Sequence, residues 1–202
     1  MPSKFDPQRH HRHSIRLPNY DYSQPGAYFI TIVAWHRECL FGEVVRGEMK
    51  LNRYGEIVNY AWFDLPHHFR HVALGAFIIM PNHVHGIIIL KNDERRGGSI
   101  LGNDFLPDGT IEGKILVSEG VETRPYKSIK RHALPEIVRG FKSFSAKRIN
   151  ILRGTQGIPL WQRNYYEHVI RDERDLKNKT NYIEANPMLW NEDDENPMNI
   201  KT

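Results

Sequence analysis

Two histidines stand two residues apart at the start of an apolar run that is rich in β-branched residues. They belong to the segment Met80-Pro81-Asn82-His83-Val84-His85-Gly86, which continues as Ile87-Ile88-Ile89-Leu90. A β-strand has a side-chain period of two, so His83 and His85 are expected on the same face of a sheet. Two imidazoles on one face can bind a single metal ion together. Taken alone, an H-x-H pattern also arises by chance in ordinary strands.

A tyrosine and an asparagine four residues apart form a second candidate group. They lie in Asn181-Tyr182-Ile183-Glu184-Ala185-Asn186-Pro187, where a helix would place Tyr182 and Asn186 on one face. A phenol can act as a nucleophile once a base or cation assists its deprotonation, and its attack on a phosphodiester is reversible because one ester replaces another. An asparagine oxygen suits Mg²⁺ or Mn²⁺ beside two imidazoles, and such a metal would polarise the scissile phosphate. The structural alternative is a packed helix tyrosine, since the chain contains nine tyrosines.

Positive charge is concentrated in one part of the chain. The formal net charge is only +4, yet residues 123–153 contain nine lysines and arginines against one acid, Glu136. Charge of this density favours a nucleic-acid partner over a merely solvated helix face. The residues that we expect to contact DNA are Arg131, Arg139, Lys142, Lys147, Arg148 and Arg163.

Composition limits the other possibilities. No apolar run approaches the roughly 18–20 residues of a membrane span, and no apolar segment that would make a signal peptide follows the basic N-terminus. The single cysteine, Cys39, excludes an internal disulfide and a cysteine-rich zinc site, so a cytoplasmic protein is expected. We predict a polar basic arm at 1–25, a catalytic domain at 26–190 with a glycine-rich, flexible insertion at 91–120, and an acidic tail at 191–202.

The elements that must position these residues alternate between strands and helices. Patterning predicts strands at 28–35, 72–80, 83–90 and 159–170, a hairpin at 43–51, and helices from 56 toward 68, at 134–152 and from a cap at Asp172 to about Ala185. This order predicts an α+β fold: a ferredoxin-like antiparallel sheet with helices on one face. An added C-terminal helix would carry Tyr182.

Three blocks of the sequence resemble the REP-associated tyrosine transposases, a branch of the single-tyrosine HUH endonucleases. The blocks are Met80–Gly86, Trp161–His168 and Tyr182–Pro187; they occur in the family's order, and the similarity runs from about Ile15 to Trp190. The resemblance therefore covers most of the chain.

The resemblance implies a function and a role for each site residue. His83 and His85 would be metal ligands, and Tyr182 would be the nucleophile that forms a 5′-phosphotyrosine link and releases a 3′-hydroxyl. Asn186 would be the third ligand, where related transposases place a glutamine. The family acts on single-stranded DNA near palindromic hairpins and needs Mg²⁺ or Mn²⁺. Whether the chain works as a monomer or a homodimer stays open.

Several alternatives compete with this interpretation. A single-stranded nucleic-acid-binding protein could use the same sheet without catalysis, and a metal hydrolase could be built on the H-x-H pair. The hydrolase is disfavoured because no acid or further histidine directly follows the pair. Tyr165 and Tyr166 are other candidate nucleophiles, but on a strand they would point to opposite faces, and neither has an amide partner four residues on. His168 is expected to be structural.

Overall fold

The computed structural model describes residues 17–92 and 132–199. Several predictions concern residues outside these ranges. The residues concerned are 1–16 of the basic arm, 93–120 of the predicted insertion, Arg131 with the basic residues before it, and 200–202 of the tail.

Six strands and four helices make up the described fold. The strands are β1 (Gly26–Val33), β2 (Gly42–Val45), β3 (Glu48–Leu51), β4 (Val72–Ile79), β5 (His83–Leu90) and β6 (Tyr166–Ile170); the helices are α1 (Arg53–Phe63), α2 (Leu65–His68), α3 (Leu134–Leu152) and α4 (Glu173–Ala185). The main sheet is antiparallel with strand order β4-β5-β1-β6, and β2 and β3 form a separate hairpin. This arrangement confirms the predicted α+β fold class.

The two faces of the main sheet are covered by different helices. On one face, Tyr28, Ile30 and Ile32 of β1 belong to a large core that also holds the apolar residues of α1 and α3. On the other face, Phe29 and Ile87 pack against Ile183 of α4 in a smaller cluster. Because side chains alternate along a strand, β5 presents its two histidines to the α4 face.

The first helical region differs from its predicted bounds. The sequence predicts a helix from residue 56 toward residue 68, but α1 begins at Arg53. The cause is Asn52, whose side-chain oxygen accepts hydrogen bonds from two backbone amides of the first turn at 2.9 and 3.1 Å. The helix ends at Phe63, and a separate short helix, α2, starts at Leu65.

The last strand of the main sheet is shorter than predicted. The sequence predicts a strand at 159–170, whereas β6 contains only Tyr166–Ile170. Trp161 makes a single isolated bridge to Ala34. The carbonyl groups of residues 162–164 then accept hydrogen bonds from the Lys142 ammonium instead of pairing with a neighbouring strand.

Candidate metal and nucleophile site

The two histidines of β5 lie side by side in the interior. Register with β1 places His85 opposite Thr31 and His83 opposite Val33. The His83 side chain is fully buried, and His85 is 3% exposed. Their Nε2 atoms are 2.9 Å apart. The strand period of two therefore brings both imidazoles to one point on the α4 face.

Hydrogen bonds fix the orientation of His83. The Asn82 side-chain nitrogen donates to the carbonyl oxygens of Arg37 at 3.0 Å and Glu195 at 2.6 Å, so the Asn82 oxygen must face His83. That oxygen lies 2.8 Å from His83 Nδ1 and can only accept. His83 consequently carries its proton on Nδ1, and its Nε2 lone pair points into the site.

A second hydrogen bond orients His85, and both histidines are neutral. His85 Nδ1 lies 2.8 Å from the Thr31 hydroxyl, which leaves Nε2 directed at the same point as that of His83. Burial lowers the pKa of His83 to about 3. Burial also lowers the pKa of His85 well below its usual value, with smaller contributions from the charges of His83 and Lys179. Neutral imidazole is the form that binds a metal ion.

Tyr182 reaches this histidine pair from α4. Its hydroxyl oxygen lies 3.5 Å from His85 Nε2, and its ring meets the imidazole edge-on at a centroid distance of 5.1 Å. The side chain is 43% exposed, so the phenol stands at the boundary between the buried site and solvent. Burial raises the pKa of Tyr182, and the Asp193 carboxylate raises it further. The phenol is therefore protonated at neutral pH.

The position of α4 follows from its first turn and its apolar contacts. Asp172 caps the helix by accepting a hydrogen bond from the Asp175 amide at 2.8 Å. The Asp175 carboxylate in turn lies 2.7 Å from His168 Nε2 on β6. Leu176 and Ile183 of α4 pack on the sheet in the same cluster as Phe29 and Ile87. The contact with Asp175 gives His168 the structural position expected for it.

Asn186 stands one turn beyond Tyr182 and carries an unsatisfied oxygen. It is the C-cap residue of α4 and keeps helical backbone angles, φ −55° and ψ −41°, so it continues the face that holds Tyr182. The residue is 3% exposed. Its side-chain oxygen has no hydrogen-bond partner within residues 17–92 and 132–199. A buried amide oxygen without a partner costs roughly 1–3 kcal/mol, a cost that a bound cation would offset.

Asp193 is a candidate ligand that sequence reasoning missed. Its Oδ2 lies 3.8 Å from His83 Nε2, and ligand atoms of His83, His85 and Asp193 all lie within 4.8 Å of one another. The run of acids at 192–195 was the available signal, but such a run is typical of a solvated tail. Here the segment folds back onto the site. Asn82 binds the Glu195 carbonyl, and Arg37 Nε lies 2.7 Å from the Glu195 carboxylate.

An open cavity of about 480 Å³ adjoins Tyr182. Its wall includes Phe29, Thr31, Tyr166, Lys179 and Tyr182, together with Asn186, Leu189 and the acids at 192–195. Tyr166 is 48% exposed there. Tyr165, the other tyrosine of the pair, packs against the large core on the opposite side. Tyr182 and Tyr166 therefore border the same cavity.

The basic residues expected to bind DNA lie apart from this cavity. Arg139, Lys147 and Arg148 are exposed on α3, which covers the opposite face of the sheet, and Arg163 is exposed in the loop before β6. Arg148 lies over the ring of Tyr60 at 4.7 Å.

Lys142 has partners inside the protein. Its ammonium donates to the carbonyls of Gln162 at 2.5 Å, Arg163 at 3.1 Å and Asn164 at 3.4 Å. Burial lowers the pKa of Lys142 to about 8. Its contact with DNA stays a prediction. Separately, none of the helices described is long and apolar enough to cross a membrane.

Comparison with known proteins connects this architecture to two others. No protein-family model matches the chain. An uncharacterized protein of Haemophilus influenzae is 37% identical over 197 residues, which are 96% of this chain and 97% of that protein. A solved structure of a REP-associated tyrosine transposase bound to a REP hairpin has a TM-score of 0.52 and 16% identity, over 86% of this chain and 72% of that one. The chain therefore belongs to one family with the Haemophilus influenzae protein, and its fold is that of the REP-associated tyrosine transposase.

Proposed function

We propose that the protein is a metal-dependent endonuclease and strand transferase that acts on single-stranded DNA near hairpins, with Tyr182 as nucleophile. The observation that carries this proposal is the convergence of three groups: the Tyr182 hydroxyl lies 3.5 Å from His85 Nε2, which lies 2.9 Å from His83 Nε2. A protein that only binds nucleic acid has no need of this arrangement. The shared fold with a transposase that was solved with a REP hairpin supports hairpin DNA as the substrate class.

The residues at the site fit a divalent cation. His83 and His85 would supply nitrogen ligands, and Asp193 and Asn186 would supply oxygen ligands. Ligand atoms of His83, His85 and Asp193 lie within 4.8 Å of one another, which supports this assignment. This mixed set suits Mg²⁺ or Mn²⁺. The buried Asn186 oxygen, which has no hydrogen-bond partner among the described residues, supports the proposal. A bound cation would polarise the scissile phosphate and offset the carboxylate charge beside the nucleophile.

Tyr182 would then cleave by direct displacement. A bond forms between its Oη and phosphorus as the bond between phosphorus and the 3′-oxygen breaks, and the proton lost by the phenol is balanced by the one gained at the 3′-hydroxyl. The protein is left joined to the 5′-phosphate. Because the phosphotyrosine bond is similar in energy to the bond broken, a 3′-hydroxyl can attack it and rejoin DNA. Because burial, and after it the Asp193 carboxylate, raises the pKa of Tyr182, the phenol would need help from a base or a cation to lose its proton.

DNA binding would use the basic surface at the β6 edge of the sheet. Arg139 on α3 and Arg163 before β6 line one cavity of about 450 Å³. Since β6 is an edge strand, a DNA strand bound there can pass around that edge to the Tyr182 face. Lys147 and Arg148 would extend the positive surface along α3.

The proposal is tested by trapping the covalent intermediate. The protein is incubated with end-labelled single-stranded hairpin DNA and Mg²⁺ or Mn²⁺, and the products are separated on a denaturing gel. We expect a protein–DNA adduct in the wild type and in Tyr166→Phe, the matched control from the same cavity, and none in Tyr182→Phe. His83→Ala should abolish cleavage while hairpin binding persists.

The other outcomes separate the alternatives. An adduct that persists in Tyr182→Phe and disappears in Tyr166→Phe would assign the nucleophile to Tyr166. If the protein binds the hairpin but forms no adduct with any metal ion tested, the non-catalytic nucleic-acid-binding protein is favoured. Loss of binding together with cleavage in His83→Ala would give His83 a structural role only.

A further inference from the structure

Lys179 occupies a prominent position beside the nucleophile. It lies on α4 three residues before Tyr182 and lines the same cavity. Its ammonium lies 4.9 Å from the centre of the Phe29 ring. That ring stacks on His85 at 5.6 Å and meets Tyr182 edge-on at 5.9 Å. The ammonium is thus held over the aromatic floor that also supports the histidine and the tyrosine.

The charge around the cavity is strongly uneven. Four acidic residues, at 192–195, contribute to its wall. Among the described residues that line it, Lys179 is the one lysine or arginine, beside the neutral His85. Within residues 17–92 and 132–199, no hydrogen bond or ion pair engages the Lys179 ammonium. Its charge is nevertheless felt at the site, because it contributes to the lowered pKa values of His85 and Asp175. Three ammonium donors therefore face a cavity with no partner from these residues.

A phosphodiester at the site would supply the missing partner. When the Tyr182 oxygen attacks phosphorus, negative charge is spread over the non-bridging oxygens of the phosphate, and a fixed cation stabilises that charge. Lysine suits this task because its ammonium acts as a point charge with three donors. Asp193 lies 3.8 Å from His83, whereas the Lys179 ammonium lies over the Phe29 ring, which stacks on His85. The phosphate would contact Lys179 in addition to the cation that the two histidines would hold.

We propose that Lys179 binds a non-bridging oxygen of the scissile phosphate and is a catalytic residue of the cleavage step. This inference rests on the proposed function of the Tyr182 site. It adds a residue outside the metal-binding group, on the helix that carries Tyr182, and gives that residue a direct contact with the substrate. The substrate is a single DNA strand, and the inference requires a negatively charged non-bridging oxygen at its scissile phosphate.

The first experiment compares two lysines of α4. Rates of adduct formation are measured in single turnover at saturating hairpin DNA for Lys179→Met and for Lys177→Met, an exposed control that does not line the cavity. We expect Lys179→Met to slow the reaction about 10- to 100-fold, with a smaller change in hairpin affinity. Lys177→Met should stay within about twofold, and Lys179→Arg should recover part of the lost rate, since a guanidinium also binds phosphate.

The second experiment locates the contact on the DNA. A neutral methylphosphonate replaces either the scissile phosphate or a phosphate farther along the strand. The rate advantage of the wild type over Lys179→Met should shrink only with the scissile replacement. Equal rates for wild type and Lys179→Met, or the same advantage on both substrates, would overturn the inference. A wild type that forms no adduct would instead refute the proposed function, and this inference with it.

Discussion

Acid should destabilise the metal-free protein through its buried histidines. His83 has an ordinary pKa of 6.5 that burial lowers to about 3 in the folded state. Below pH 6.5 the unfolded chain takes up a proton at this position, whereas the folded chain does not until the pH approaches the lower value. The stabilising contribution is therefore complete above 6.5 and declines as the pH falls. At roughly 1.4 kcal/mol per pH unit, a drop to two units below 6.5 would remove about 3 kcal/mol.

Urea unfolding in the presence of a chelator measures this loss. The free energy of unfolding is followed by circular dichroism at about pH 7, 5.5 and 4.5, at constant ionic strength. His83→Gln should lose less stability over this range than the wild type, because one of the two buried histidines that resist protonation is gone. His67→Gln is the matched control, since the His67 side chain is 82% exposed, and it should follow the wild type. Equal acid sensitivity of His83→Gln and the wild type would refute this reasoning.

Three further substitutions test the packing and the hydrogen bonds that support the site. In Gly86→Ala, the new Cβ would lie 2.5 Å from two ring atoms of the fully buried Trp62. Urea unfolding should therefore show the free energy of unfolding reduced by about 1–3 kcal/mol. An unchanged free energy of unfolding would show that the Trp62 ring moves aside freely. Asn82→Ala removes the amide that orients His83, and calorimetry should show Mn²⁺ affinity reduced about 10- to 100-fold; unchanged affinity would mean that the amide is dispensable. Lys142→Met leaves three loop carbonyls without their donor, so thermal unfolding should reveal a loss of roughly 1–3 kcal/mol; a variant as stable as the wild type would contradict this.

Elements with strong local patterning could be predicted from the sequence. The bounds of β5 and α3 are those that the apolar pattern indicates, because each has a continuous buried stripe and clear ends. The start of β6 could not be predicted in the same way. Leu160 and Trp161 are buried like strand residues, but the chain between them and Tyr166 is held by the Lys142 ammonium, a contact 20 or more residues away in sequence.

The candidate site shows the same division. The shared face of His83 and His85 follows from the strand period alone, and the spacing of Tyr182 and Asn186 follows from the helix. Predicting that α4 packs against β5 required the resemblance to a known family, because local patterns do not indicate which helix covers which face of the sheet. Asp193 could not be found from sequence, because its place depends on the chain turning back after α4.

The Asn82 amide joins three parts of the chain that are far apart in sequence. It touches His83 on β5, the Arg37 carbonyl after β1 and the Glu195 carbonyl near the C-terminus. A C-terminal truncation that stops after Pro187 would keep every residue of the two motifs. It would nevertheless remove one acceptor of the amide that aligns His83, along with the Asp193 carboxylate. The boundary for a shortened protein therefore lies beyond residue 196, where Asn196 is still buried and bound to the Trp190 carbonyl.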